Sequence, residues 1–306
     1  MLLSVDKPFK PAAKAAPPSW SGKELRRLDG ETLLRRMVAS CLEQILANAG
    51  EIARGSAEVE HVHQLRVGLR RLRSAARGMK RFATHLPEGW EAAIKPVFAA
   101  LGESRDRHVL STVIATQLQR AGAPVCDLPA PPPADARAIQ SLVRGAAFQD
   151  VLTRLQSFAN ASSADAADRA ARGAGLNALV RRLRQLERQV TRDARRFEEL
   201  PFPRQHAMRK QLKRLRYLAE FAAPAFDRSA TEAWLKKAAP AQDALGAYID
   251  DVQAGVRFAA LAATQPGAWF ALGWLRSREK QSARAGRKAL ERLRRSTAFW
   301  ETAGGT

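Results

Sequence analysis

Cysteine is scarce in this chain of 306 residues, since Cys41 and Cys126 are the only two. Two cysteines are too few for a disulfide framework or a thiolate metal site in a chain of this length, so the composition fits a reducing compartment. Aromatic residues make up only 7%, and most are Phe and Trp in apolar surroundings. The sequence therefore offers few of the exposed stacking platforms that single-stranded nucleic-acid binders use.

Long apolar runs are also missing. The longest uncharged stretch, residues 258–275, contains Gln265, Pro266 and Gly267 in its middle, which predicts a helix, a turn and a second helix rather than a membrane span. The N-terminus has no signal-peptide core, because Asp6 and Lys7 interrupt its apolar start. We therefore expect a cytoplasmic protein with no membrane partner.

Acidic residues are in short supply relative to basic ones. The chain has 51 Lys and Arg but only 30 Asp and Glu, a formal net charge of +21. A polyanion is the expected partner of such a chain. No segment alternates polar and apolar residues with a period of two, so strands are not expected and the predicted class is all-α.

One basic pattern occurs twice. The segment HQLRVGLRRLR begins at His63, and HAMRKQLKRLR begins 143 residues later at His206. The shared positions are His63, Arg66, Arg70 and Arg73 in the first copy, and His206, Arg209, Lys213 and Arg216 in the second. At about 100° per residue the four positions fall at about 0, −60, −20 and −80° around a helix, so they share one face.

The leucines of the first copy define the opposite face. Leu65, Leu69 and Leu72 fall at about 200, 240 and 180°. Each copy therefore predicts a helix with one apolar face for a core and one basic face for an anion. Arg77 and Arg81 extend the first basic face by two further turns, whereas the second copy has Glu220 in place of Arg77.

A second motif repeats at nearly the same offset. LGESRD starts at Leu101 and LGAYID at Leu245, so Gly102 with Gly246 and Asp106 with Asp250 are each 144 residues apart. Two ordered motifs at one offset indicate an internal duplication. We expect four helices in each half, at about 21–50, 57–86, 88–119 and 136–158, then 176–200, 206–221, 230–263 and 268–299.

These helices give a domain map. Residues 1–20 are rich in Pro, Ala and Lys and predict a disordered tail. Helical residues 21–299 divide into halves at 21–160 and 161–299, and 300–306 form a second tail. The segment 122–135 is the clearest linker. The predicted fold is two four-helix bundles related by a pseudo-two-fold duplication.

The paired H-x-x-R-x-x-x-[RK]-x-x-R helices, each followed by L-G-x-x-x-D, resemble the CHAD (conserved histidine α-helical domain) family over residues 21–299. The resemblance implies two four-helix bundles with a basic groove or pore between them. It also implies binding of inorganic polyphosphate, location on polyphosphate granules together with other granule proteins, and no catalysis of its own. The chain resembles a stand-alone member of the family.

The expected polyphosphate-binding residues are those of the two basic faces, namely His63, Arg66, Arg70, Arg73, Arg77, His206, Arg209, Lys213 and Arg216. Further candidates on other basic helices are Arg181, Arg188, Arg276, Lys280 and Arg284. Arginine suits this ligand because its planar fork pairs with two phosphate oxygens and stays charged. The two Asp residues of the repeated motif, Asp106 and Asp250, either orient a groove arginine or form a structural cap or ion pair.

Several alternatives stay open from the residues alone. The two histidines could contact phosphate, form a hydrogen bond between helices, or carry a phosphohistidine. General nucleic-acid binding would also suit the charge, and a phosphoanhydride-acting enzyme is a third possibility. Against an enzyme, the sequence has no carboxylate cluster for Mg²⁺, no phosphate-binding G-x-x-x-x-G-K-[ST] loop and no nucleophile elbow. No metal and no cofactor is expected, because His61 and His63 point about 160° apart on a helix.

Overall fold

The structure, a computed structural model, describes residues 8–124, 134–161 and 172–301. Within these ranges the regular structure is helical and contains no strand, which confirms the all-α class. No described helix has both the length and the apolar character needed to cross a bilayer. The helices are α1 (Gly22–Leu25), α2 (Gly30–Ala53), α3 (Val59–Gly78), α4 (Trp90–His108), α5 (Ala115–Arg120), α6 (Ala134–Arg144), α7 (Ala146–Asn160), α8 (Ala174–Thr191), α9 (Phe202–Ala222), α10 (Arg228–Leu261) and α11 (Ala268–Arg294).

The described residues form two compact units. Of the described residues, the first unit takes 8–17, 34–106 and 134–161, and the second takes 18–33, 107–124 and 172–301. The stretches 18–33 and 107–124, which were predicted to lie in the first half, therefore belong to the second unit. That the two units arose by duplication stays a prediction.

Side-chain packing explains why residues 18–33 belong to the second unit. Trp20 stacks on Phe221 with ring centroids 6.1 Å apart, and the Arg26 guanidinium donates to the carbonyl of Ala225. Gly22 lies against the backbone of Pro224, where a Cβ atom would overlap the carbonyl oxygen. The start of the first predicted helix thus packs against the end of α9 and the residues that follow it.

The core of the first unit is built from the apolar faces of α2 and α3. Leu65, Leu69 and Leu72 are fully buried, as the leucine face predicts. Gly68 allows the two helices to approach closely, since a Cβ atom there would lie 2.8 Å from the Cγ1 atom of Ile45. Helix α7 contacts α2, since the Cζ atom of Arg35 lies 4.5 Å from the centroid of the Phe158 ring.

The second unit packs α8, α9, α10 and α11 together. Phe197, which follows α8, meets Tyr248 of α10 edge to face at 5.3 Å. The Tyr248 hydroxyl donates to Oε1 of Gln205 at 2.6 Å, and Gln205 donates to the carbonyl of Phe197 at 2.8 Å. Near the C-terminus, the rings of Trp234, Phe299 and Trp300 pack edge to face against one another.

Several predicted helix boundaries were wrong for local reasons. The helix predicted over 21–50 is divided, because Asp29 caps α2 by accepting from the backbone N–H of Thr32 at 2.9 Å. The helix predicted over 136–158 breaks at Gly145. By contrast, α10 continues through Pro240 without a break, as the single helix predicted over 230–263 requires.

The N-terminal segment differs from the expected disordered tail. Residues 1–7 lie outside the described part of the chain, but Ala13 exchanges two hydrogen bonds with the Asn48 side chain, at 3.2 and 2.8 Å. The Nε2–H group of buried His61 donates to the carbonyl of Lys10 at 2.8 Å. No local pattern predicts these hydrogen bonds, because their partners lie 35 and 51 residues away in the chain.

Candidate functional site

The first basic face lies on α3, as predicted. His63, Arg66, Arg70 and Arg73 are half-buried and Arg77 is exposed, while the leucines opposite them are fully buried. The helix ends at Gly78, and Arg81 falls in a 3₁₀ turn, Lys80–Phe82. The predicted extension by two turns is therefore wrong for Arg81. The backbone leaves the helical conformation at Met79, just past the helix end, and the Met79 side chain is fully buried.

Phe98 of α4 is the residue around which three of these arginines gather. The Cζ atoms of Arg66, Arg70 and Arg73 lie 5.0, 6.0 and 5.0 Å from the centroid of its ring. Arginine stacks readily on aromatic faces. Because the ring is neutral, it positions three like charges close together without cancelling them.

Gly102 lies directly against the Arg66 guanidinium. A Cβ atom on Gly102 would overlap the Arg66 guanidinium, so only glycine leaves room for it. The same guanidinium donates to the carbonyl of Phe98 at 3.4 Å, a long hydrogen bond. Phe98 and Gly102 are four residues apart and share a face of α4. Arg66 of the first repeated motif therefore lies directly against Gly102 of the second.

A carboxylate pairs with two arginines at the far end of this face. Glu91 of α4 pairs with Arg73 at 3.0 Å and with Arg77 at 2.8 Å. Among the described residues, no carboxylate lies within ion-pair distance of Arg70. Arg70 is thus the arginine of this face whose charge is most available to an anion.

The second basic face lies on α9. His206, Arg209, Lys213 and Arg216 are half-buried, and Leu212 and Leu215 opposite them are fully buried. The ring of His206 meets Phe202 edge to face at 6.0 Å. The predicted division into a basic and an apolar side therefore holds for both copies of the pattern.

The second face meets polar groups where the first meets an aromatic ring. The Nη2 atom of Arg209 lies 3.7 Å from Oδ1 of Asp250 and in ordinary contact distance of Gly246. Arg216 donates to Gln242 at 2.9 Å and pairs with Glu220 at 3.3 Å. The position of Phe98 is thus taken by Gln242, also 144 residues on.

The two Asp residues of the repeated motif have different surroundings. Asp250 is near Arg209, whereas Asp106 is exposed at the end of α4. The neighbouring Asp251 is buried and faces α11, where Arg278 lies 3.2 Å away. Burial raises the pKa of the Asp251 carboxyl although Arg278 opposes the rise. Asp251 is therefore a structural carboxylate of the second unit.

The remaining candidates form no common cluster with these residues in the contacts described. Arg181 and Arg188 are exposed on α8, and Arg276, Lys280 and Arg284 are exposed on α11. Arg276 pairs with Glu279 at 3.3 Å. Within the described ranges, no group of three or more His, Cys, Asp or Glu side chains is arranged to hold a metal ion.

Phe98, Glu91 and Gln242 contact the basic faces but were not predicted to do so from the sequence. A signal for two of them was present, because Phe98 and Gln242 each precede the motif glycine by four residues and so share its helix face. Glu91 carried no such signal. Its pairing with Arg73 depends on how α3 and α4 pack.

The family model of the CHAD domain matches residues 36–259, about three quarters of the chain. The chain belongs to the CHAD domain family. The fold of this CHAD protein is similar to the crystal structure of the CHAD domain from the plant Ricinus communis, with a TM-score of 0.70 and 22% sequence identity. The similarity covers 92% of this chain and 96% of the plant domain. No curated protein matches the sequence.

Proposed function

We propose that this CHAD protein binds inorganic polyphosphate through the basic faces of α3 and α9, as a binding module without catalytic activity. The observation that carries the proposal is the gathering of Arg66, Arg70 and Arg73 around the neutral ring of Phe98. A polyphosphate chain offers charge and hydrogen-bond acceptors only, with no base edge and no apolar surface. A row of preorganised guanidinium groups matches that chemistry.

The spacing of the row also suits a linear chain of phosphates. From Arg66 to Arg73 is seven residues, about 10 Å along the helix axis at about 1.5 Å per residue. One face can therefore contact several successive phosphates. Since like charges on one face repel each other, a bound polyanion should stabilise the folded state and raise the melting temperature.

Family membership supports the same ligand, because CHAD domains are linked in general to polyphosphate binding. The groove between the two halves that the resemblance implies stays a prediction. We also propose that the protein is cytoplasmic and associates with polyphosphate granules and their other proteins. A fluorescent fusion should form foci in cells that contain polyphosphate and become diffuse in cells that lack it.

The direct test is binding of long-chain polyphosphate at about 150 mM salt, where non-specific contacts are screened. The variant Arg66→Ala/Arg70→Ala/Arg209→Ala should bind much more weakly than the native protein. A matched control is Arg192→Ala/Arg196→Ala/Arg228→Ala, which removes the same three charges from exposed side chains. If both variants bind equally well, the two basic faces are not the site.

Competition separates this proposal from general nucleic-acid binding, which the net charge of +21 would also permit. Polyphosphate added at equal phosphate concentration should release bound duplex DNA. Retention of the DNA would favour the nucleic-acid alternative. Absence of phosphate release with Mg²⁺ or Mn²⁺ is expected, and release that His63→Ala abolishes would instead indicate an enzyme.

A further inference from the structure

One end of the second unit carries a concentration of exposed apolar side chains. Six large apolar side chains are exposed among the described residues, and four of them lie in two segments, 107–124 and 252–278. The four are Val113, Val256, Trp269 and Phe270. The indole of Trp269 is the largest of them and is 63% exposed. Neither basic face includes these residues.

The aromatic pair sits at the tip of a helical hairpin. Helices α10 and α11 are joined by a short turn, in which the backbone N–H of Gln265 donates to the carbonyl of Leu261 at 2.8 Å. Ala268 and Ala271, on either side of the pair, are buried. Trp269 and Phe270 are therefore held on the outer side of a fixed backbone.

A separate small core supports the tip from within. Phe258 of α10 and Leu275 of α11 pack with Leu110, Ile114 and Leu118 from the segment 107–124. The Arg278 guanidinium also donates to Gln117, which ties α11 to the same segment. The two segments thus form one end of the unit rather than two separate loops.

The segments 107–124 and 252–278 contain no acidic residue, although Asp106, Asp251 and Glu279 adjoin them in the chain. Asp and Glu make up 30 of 306 residues, so 45 residues would be expected to include about four, yet 107–124 and 252–278 have none. The two segments do carry arginines, of which Arg120, Arg257 and Arg276 are exposed. Arg276 also pairs with Glu279 at 3.3 Å, at the inner edge of this surface. Exposed aromatic residues beside exposed arginines are complementary to an anionic surface that has an apolar interior.

The arginines lie at a suitable distance behind the tip. Arg257 precedes the end of α10 by four residues and Arg276 follows Phe270 by six, which is about 6 and 9 Å along the helices at about 1.5 Å per residue. Amphipathic segments bury their apolar side about 5–10 Å into a bilayer interface. Aromatic side chains inserted at the tip would thus leave both arginines level with lipid phosphates.

We propose that this end of the second unit docks on the surface of a membrane rich in anionic phospholipid. Trp269 and Phe270 enter the interface of one leaflet, and Arg257 and Arg276 contact the headgroup phosphates. This proposal departs from the sequence-based expectation of no membrane partner, which was argued from the lack of a spanning segment. A second copy of the chain fits the face less well, because it would bring the same arginines against each other.

The test is co-sedimentation with vesicles at about 150 mM salt, using phosphatidylglycerol mixed with phosphatidylcholine and, in parallel, phosphatidylcholine alone. The native protein should pellet with the anionic vesicles only. Trp269→Ser/Phe270→Ser should weaken that binding at least about tenfold, because it removes the inserted aromatic surface. Arg66→Ala/Arg209→Ala, which alters the basic faces instead, should still bind the vesicles.

Three outcomes would overturn the proposal. The first is that the native protein does not bind anionic vesicles. The second is that Trp269→Ser/Phe270→Ser pellets with them as the native protein does. The third is a native dimer that Trp269→Ser/Phe270→Ser converts to a monomer, since the face would then be an interface between copies. The milder variant Trp269→Ala decides the matter if the double variant does not fold.

Polyphosphate binding by Trp269→Ser/Phe270→Ser keeps the two proposals separate. This variant should bind polyphosphate with unchanged affinity, because both residues lie outside the two basic faces. A native protein that binds vesicles but not polyphosphate would refute the proposed function alone. A native protein that binds polyphosphate but not vesicles would refute the docking surface alone.

Discussion

Replacing Gly102 with alanine should displace the Arg66 guanidinium without unfolding the protein. The new methyl group would occupy the space that the guanidinium fills, and the guanidinium is the far end of a flexible side chain. Arg66 would therefore move rather than α4. We expect Gly102→Ala to bind polyphosphate more weakly, in the same direction as Arg66→Ala.

The magnitude follows from the contacts at stake. Hydrogen bonds to charged groups contribute about 1.5–3 kcal/mol, so losing the Arg66 contact with phosphate would weaken binding by at most about 10- to 150-fold. Stability should change little. The alanine gains about 1 kcal/mol in helix propensity over glycine, which offsets about 0.5–1 kcal/mol for the arginine contact with Phe98.

Gly246→Ala is the matched control in the second unit. A Cβ atom there would lie 3.8 Å from Nη2 of Arg209, an ordinary van der Waals distance. This variant should keep native affinity for polyphosphate and gain about 1 kcal/mol. For 306 residues at about 2.1 cal/mol/K each, this corresponds to a rise of about 1.5 °C in melting temperature. Fluorescence anisotropy with labelled polyphosphate and thermal denaturation measure the two effects.

The reasoning is refuted if Gly102→Ala binds polyphosphate as the native protein does while Arg66→Ala does not. In that case the glycine would not determine where the arginine lies. Equal losses of affinity in Gly102→Ala and Gly246→Ala would also contradict it, because only one of the two glycines leaves no room for a side chain.

Three further predictions concern charge, pH and the N-terminal segment. Arg70→Ala should lower by about one the slope of log affinity for polyphosphate against log salt, and an unchanged slope would exclude a direct phosphate contact. Burial raises the pKa of the Glu187 carboxyl above its ordinary value, although Trp300 donates to it. Ionising this group therefore costs stability above its folded pKa and costs none below the ordinary carboxyl pKa. Glu187→Gln, which still accepts from Trp300, should thus melt higher than the native protein at pH 7, with a gap that closes as the pH falls below that ordinary pKa. Asn48→Ala should release residues 8–17, so trypsin should cut after Lys14 faster than in the native protein.

The basic faces could be predicted from the sequence because helical periodicity decides which residues share a side. The positions of His63, Arg66 and Arg70 relative to Leu65 and Leu69 follow from the 3.6-residue repeat alone. Helix ends were less predictable. The break at Asp29 and the one at Gly145 depend on single capping or flexible residues within otherwise helical patterns.

The assignment of segments to units could not be predicted. Residues 18–33 join the second unit because Trp20 meets Phe221, and residues 107–118 join it through the core around Phe258. Neither contact has a local signature, since the partners are more than 100 residues apart in the chain. The linear division at 160 was therefore the simplest prediction but not the one that packing produced.

The sequence by itself determined that the chain is helical, that it is strongly basic, and that two of its helices each carry a basic side opposite an apolar one. These properties depend on residue type and on spacing within a single helix. Only the tertiary structure decided what each basic side meets, an aromatic ring and Glu91 on α3 but Gln242 and Asp250 on α9. Which arginines keep an available charge depends on those contacts between helices, because burial and ion pairing are set by neighbours in space rather than by neighbours in the chain.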